Sequence, residues 1–145
     1  MSKNDKQLSL RLMHRIEVRL IDSGITGTIE EGTLCLFRPV PDKPMATTYG
    51  MASAVNVFQR GDCIRRLYCV EQYDDNDSLV KFAVTLTDEV KKQLGVWHLD
   101  HSHGLHTHSI ENGKSTNTHV PFAGELEDMV NEILSAIKAG LPNAI

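Results

Sequence analysis

The sequence predicts an α+β fold: an antiparallel β-sheet, laid out as a meander, with a C-terminal amphipathic helix packed on one face. Three observations carry this expectation. Short alternating or β-branched runs follow one another between turn signals from Thr33 to Phe122. Two of those signals, Ser102-His103-Gly104 and Asn112-Gly113, contain residues that tolerate the positive φ of a tight hairpin. Finally, Leu126, Met129, Val130, Ile133, Leu134 and Ile137 recur at the spacing of a single helix face. A chain of 145 residues suits one domain with a real core.

Residues 1–7 are polar and are expected to be flexible. From Leu8 to Leu20 the apolar residues fall on even positions and charged ones on most odd positions, which favours a long or broken strand. A helix is the rival, because Leu8, Leu12, Ile16 and Leu20 lie four apart. Asp22-Ser23-Gly24 marks a turn. Thr33–Arg38 reads as a strand stopped by Pro39-Val40-Pro41, and Asp42–Gly50 as a loop. Ala52–Gln59 and Cys63–Gln72 read as strands around Arg60-Gly61-Asp62. Tyr73–Ser78 is a turn, and Leu79–Leu86 a further strand. Thr87–Gly95 suits a short helix, capped by Thr87, with Asp88 and Glu89 at its positive end and Gly95 stopping it. Val96–His101, Leu105–Ile110 and Lys114–Phe122 are three successive antiparallel strands, and a helix runs from Gly124 to Ala139. Residues 96–140 thus form a histidine-rich hairpin region closed by a helix.

The net charge of −4 gives no global attraction to nucleic acid or anionic membrane. Basic residues do gather near the N-terminus, at Lys3, Lys6, Arg11, Arg15 and Arg19, where a solvated polar face accounts for them. Cys35, Cys63 and Cys69 are odd in number and lack CxxC spacing. They read as buried, reduced thiols rather than a disulfide framework or a cysteine zinc site. No apolar stretch resembles a signal peptide or a membrane span, so the expected setting is cytoplasmic, with no membrane partner. There is no P-loop, GxGxxG, HExxH or GxSxG motif.

Six of the seven histidines lie between Trp97 and His119: His98, His101, His103, His106, His108 and His119, with Asp100 among them. On a strand, residues two apart share a face, so His98 projects with Asp100, and His106 with His108. Neighbouring strands let the two pairs meet, and His119 can join them from the third strand. His101 and His103, at the turn, read as solvated. Two chemistries fit. One is a divalent transition-metal site on His98, Asp100, His106, His108 and His119, where Asp100 acts as a ligand or fixes an imidazole tautomer. The other is metal-free acid–base catalysis, with one histidine as base and another as acid. A solvated row of histidines would give the same pattern. His14, alone on an apolar strand face, reads as packed, and Trp97 and Phe122 as core anchors rather than base-stacking platforms.

The run Trp97-His98-Leu99-Asp100-His101-Ser102-His103-Gly104-Leu105-His106-Thr107-His108, with Val120-Pro121-Phe122 and the final helix after it, resembles the TumE-type toxin family of toxin–antitoxin systems. Asp100, Gly104, His106 and His108 match the Asp…Gly…His-x-His core of that family, over roughly the last third of the chain. The resemblance implies a toxin that cleaves RNA, an antitoxin protein as partner, and Asp100, His106 and His108 as catalytic residues. Arg60, Arg65, Arg66, Lys91 and Lys92 are available to neutralise RNA phosphates. A metal-dependent enzyme acting on a small molecule and a non-enzymatic metal- or partner-binding module remain open beside the ribonuclease reading.

Overall fold

The computed structural model describes residues 12–25, 27–36, 49–74 and 76–139, and the backbone alone for 27–36. Helix α1 (Leu12–Asp22) leads into seven strands: β1 (Gly27–Leu36), β2 (Tyr49–Gln59), β3 (Asp62–Tyr73), β4 (Leu79–Asp88), β5 (Gln93–Asp100), β6 (Gly104–Glu111) and β7 (Lys114–Pro121). Helix α2 (Leu126–Ala139) follows. The strands pair in sequence order, each antiparallel to the next. This is the expected α+β meander. Residues 1–7, expected to be flexible, the Pro39-Val40-Pro41 stop and most of the expected Asp42–Gly50 loop lie outside the described residues, whereas Tyr49 and Gly50 belong to β2.

Two elements differ from expectation. The Leu8–Leu20 strand is a helix over its described part, burying Leu12, Met13, Ile16 and Leu20. The four-residue spacing prevails over the two-residue one because a helix at this point covers the sheet and meets a cap. Glu71 on β3, 0% exposed, accepts from the Leu12 and Met13 amides at 2.6 Å and 3.4 Å, so a carboxylate faces the positive end of the helix. The Tyr73 hydroxyl donates to the same oxygen at 2.6 Å. At the other end, Gly24 (φ 73°) and the bonds from Gly24 N to Ile21 O and Ile25 N to Leu20 O close a Schellman cap. On this helix His14 is exposed, not packed.

The Thr87–Gly95 helix is also absent. Thr87 and Asp88 end β4, and Gln93 to Gly95 begin β5. Asp88 does accept backbone amides, from Val90 and Lys92 at 2.9 Å each, but as the anchor of a hairpin loop with Lys91 at φ 65°. Gly95 terminates nothing. It makes room for the Trp97 indole, where a Cβ would lie 2.8 Å and 2.9 Å from two ring carbons.

Both helices lie on one face of the sheet. Their apolar stripes join Val55, Val57, Leu67, Cys69, Phe82, Val84, Leu86 and Trp97 in a continuous core, with Phe122 packed at its margin. The Trp97 Nε1–H donates to Glu132 of α2 at 2.7 Å, and Arg19 of α1 pairs with Glu127 and Asn131 of α2. Strand alternation sends the next residue, His98, to the opposite face. There Tyr68 and Val70 are exposed, with the Arg66 guanidinium 4.6 Å above the Tyr68 ring. Cys69 is buried, but Cys63 is exposed, contrary to expectation.

Candidate metal centre

The histidines gather where β5, β6 and β7 run side by side on the face away from the helices. Register places His98 opposite His106, and His108 opposite His119. Ring centroids are 5.4 Å apart for His98 and His106, 4.6 Å for His98 and His108, and 4.4 Å for His108 and His119. The turn between β5 and β6 brings in one more ring. Gly104 adopts φ 60°, and the Asp100 carboxylate accepts the His103 amide at 2.7 Å. That folds His103 back over the sheet, where it stacks on His119 at 4.2 Å. His103 is the site residue that the sequence reading set aside as solvated. The signal that finds it is the left-handed glycine after it, which turns the loop inward. His101 is exposed and takes no part in these ring contacts.

Two of the histidines are held in a defined tautomer. His106 Nδ1 lies 2.9 Å from the Gly104 carbonyl, and His108 Nδ1 lies 2.9 Å from the Thr116 carbonyl. A carbonyl oxygen only accepts, so each Nδ1 carries a proton, and in the neutral ring each Nε2 then presents a lone pair. Thr116 is placed for this by an interruption of the β6–β7 ladder between His108 and Ile110, where Ser109 also bonds to the Thr116 hydroxyl. Both Nε2 atoms are buried and have no hydrogen-bond partner among the described residues. His106, at 1% exposed, is among the few buried polar residues of the fold.

Electrostatics favour the neutral form of two other rings, His98 and His119. Loss of hydration, together with the neighbouring His108 and His106, lowers the His98 pKa to about 4. His119 is lowered as well, by desolvation and by His103, His108 and His106. Partial burial pushes the Asp100 carboxyl upward. The His103 amide and the nearby His106 and His103 imidazoles outweigh it and hold the group below its ordinary value. Asp100 lies 3.3 Å from His103 Nδ1 and 3.8 Å from His106 Nε2.

Two groups of three rings have their ligand atoms within 4.8 Å of one another: His98 with His106 and His108, and His103 with His106 and His119. Tetrahedral zinc with bonds of about 2.0–2.1 Å sets its nitrogens about 3.4 Å apart, so modest ring rotation completes either set. The Nε2 atoms of His106 and His108, which have no hydrogen-bond partner among the described residues, and the carbonyls behind these rings fit such an ion.

The basic residues do not converge on this cluster. Arg65 pairs with Glu89 at 3.0 Å, and Arg66 covers Tyr68. Lys91 and Lys92, with Lys114, line a cavity of about 640 Å³ between two hairpin turns, at the other end of the strands. Among the described residues no helix is long and apolar enough to cross a membrane. No protein-family model, curated protein or solved structure matches the chain.

Proposed function

We propose that the histidine cluster is a divalent transition-metal centre and that the protein is a hydrolytic enzyme built on it. The observation that carries this reading is the pair of buried, unpartnered Nε2 lone pairs on His106 and His108, each backed by a carbonyl on the other ring nitrogen. A buried lone pair without a partner costs free energy, about 1–3 kcal/mol per group. Occupation by a metal offsets that cost. His98, neutral at physiological pH, completes a three-imidazole set. Three protein ligands leave a position open, the pattern of catalytic rather than structural zinc. A bound ion of this kind supplies a hydroxide near neutral pH and polarises the bond to be broken. The chain's own contribution is to fix the imidazoles, hold Asp100 beside them and join the strand to the core through Trp97.

RNA is the substrate class, and an antitoxin the partner, that the TumE-type resemblance supplies for this site. A second reading keeps RNA and dispenses with the metal: Asp100 orients His106, which works with His108 as an acid–base pair. Asp100 lies 3.8 Å from His106 Nε2, and this reading requires a proton on that nitrogen for the carboxylate to accept. The depressed His98 pKa counts against His98 as the proton donor near neutral pH. Cleavage of a labelled single-stranded RNA by untagged protein, with and without chelator, separates the two. Activity lost with chelator and restored by a divalent metal supports the metal reading. Chelator-resistant activity abolished by His106→Ala supports the metal-free one. No cleavage under either condition withdraws RNA as the substrate.

A further inference from the structure

His106 belongs to both three-histidine groups, and its chemistry prevents it from serving both at once. Its Nδ1 is committed to the Gly104 carbonyl, so a neutral ring retains one lone pair, on Nε2. One lone pair makes one metal bond. The two groups also differ in depth. His98 and His108 are partly buried, whereas His103 and His119 are exposed. Asp100 stands on the outer side, 3.3 Å from His103 Nδ1.

We propose that the cluster holds one divalent ion at a time and offers it two positions that share His106. The deep position uses His98, His106 and His108. The outer position uses His103, His106 and His119, with Asp100 beside His103 Nδ1 to orient that ring. This inference rests on the metal reading above and adds a loading path to it. The outer set has two exposed rings, His103 and His119, and is reached directly from solvent. The deep set has three ligands and keeps a position open for chemistry. An ion captured at the outer position moves inward by exchanging His103 and His119 for His98 and His108 while His106 stays bound.

The test is a zinc titration of metal-free, untagged protein, followed by calorimetry and native mass spectrometry, with the visible spectrum of the cobalt-loaded form recorded in parallel. Four proteins are compared: wild type, His98→Ala/His108→Ala, His103→Ala/His119→Ala and His106→Ala. The expected result is one ion per chain in the wild type and in both double variants. Because the two positions exclude each other, the wild-type association constant is the sum of theirs, so the double variant that keeps the stronger position should bind nearly as tightly as wild type, the other more weakly, and the two should differ in cobalt spectrum. His106→Ala should lose binding at these concentrations. Two ions bound together by the wild type would overturn the sharing of His106. So would a double variant of either kind that binds none, or two double variants with the same cobalt spectrum. Failure of the wild type to bind any ion would overturn the metal reading itself, a distinct outcome. Circular dichroism confirms folding of each variant, and histidine-to-glutamine versions replace any that do not fold.

Discussion

Trp97 and His98 divide the work of one strand between two faces. The indole is 4% exposed and bonded to Glu132, which fixes β5 against α2, and the imidazole emerges behind it among the other histidines. Gly95 makes this possible by leaving room for the ring. Gly95→Ala is therefore expected to cost about 1–3 kcal/mol of stability by overpacking, read from urea unfolding, and to weaken metal binding because the strand beneath His98 shifts. A variant of unchanged stability would show that Trp97 has another place to go. The members of the histidine cluster were largely readable in the sequence. Period two gave the shared face of His98 and Asp100, and of His106 and His108, and the register confirms the meeting of the two pairs. His103 was not readable, because the direction of a turn side chain depends on the turn type and on Gly104, not on any alternation.

At the scale of elements, the most consequential contact is Glu71 at the start of α1. Removing it strands two helix amides and the Tyr73 hydroxyl in the core. Glu71→Ala is expected to cost about 3 kcal/mol or more, with a visible loss of helical circular dichroism. Glu71→Gln, which keeps an acceptor oxygen but loses the charge, should cost less. A cost below about 1 kcal/mol for the alanine variant would contradict the capping role. This contact also explains why α1 was misread. Leu12, Ile16 and Leu20 satisfy periods of two and of four alike, and the deciding partner lies 59 residues away. The Thr87–Gly95 helix failed for a related reason. Asp88 is as well suited to anchoring a hairpin loop as to a helix start, and pairing of β4 with β5 decides between them. Asn112-Gly113 carried no such ambiguity: both residues adopt positive φ, as their types demand.

The whole molecule sets a two-sided sheet, with a core on one face and a polar cluster on the other, so the cluster's protonation is linked to folding. The folded state lowers the His98 pKa from 6.5 to about 4, and lowers that of His119 as well. Protonation therefore favours the unfolded chain, which binds more protons between these values. Metal-free protein should lose stability as pH falls from 6.5 towards 4. Asp100, also lowered, adds a further loss at more acid pH. Urea unfolding across that window checks this, and His98→Asn should flatten the dependence. Stability that is constant or rising on acidification would contradict the neutral-imidazole account. A bound ion should raise stability at neutral pH and release as the ligands protonate.

The meander and its final helix were legible because their signals are local. The helix-covered face was less so, because α1 and β3 meet only in three dimensions. What the fold accomplishes is to bring His98, His103, His106, His108 and His119 together from three strands and a turn. The most direct test of the central claim is elemental analysis of protein purified without a polyhistidine tag, before and after incubation with zinc, beside His106→Ala. The expected result is close to one ion per chain for the wild type and none retained by the variant. Wild-type protein that retains no metal after incubation, or a His106→Ala protein that retains as much as wild type, would contradict it.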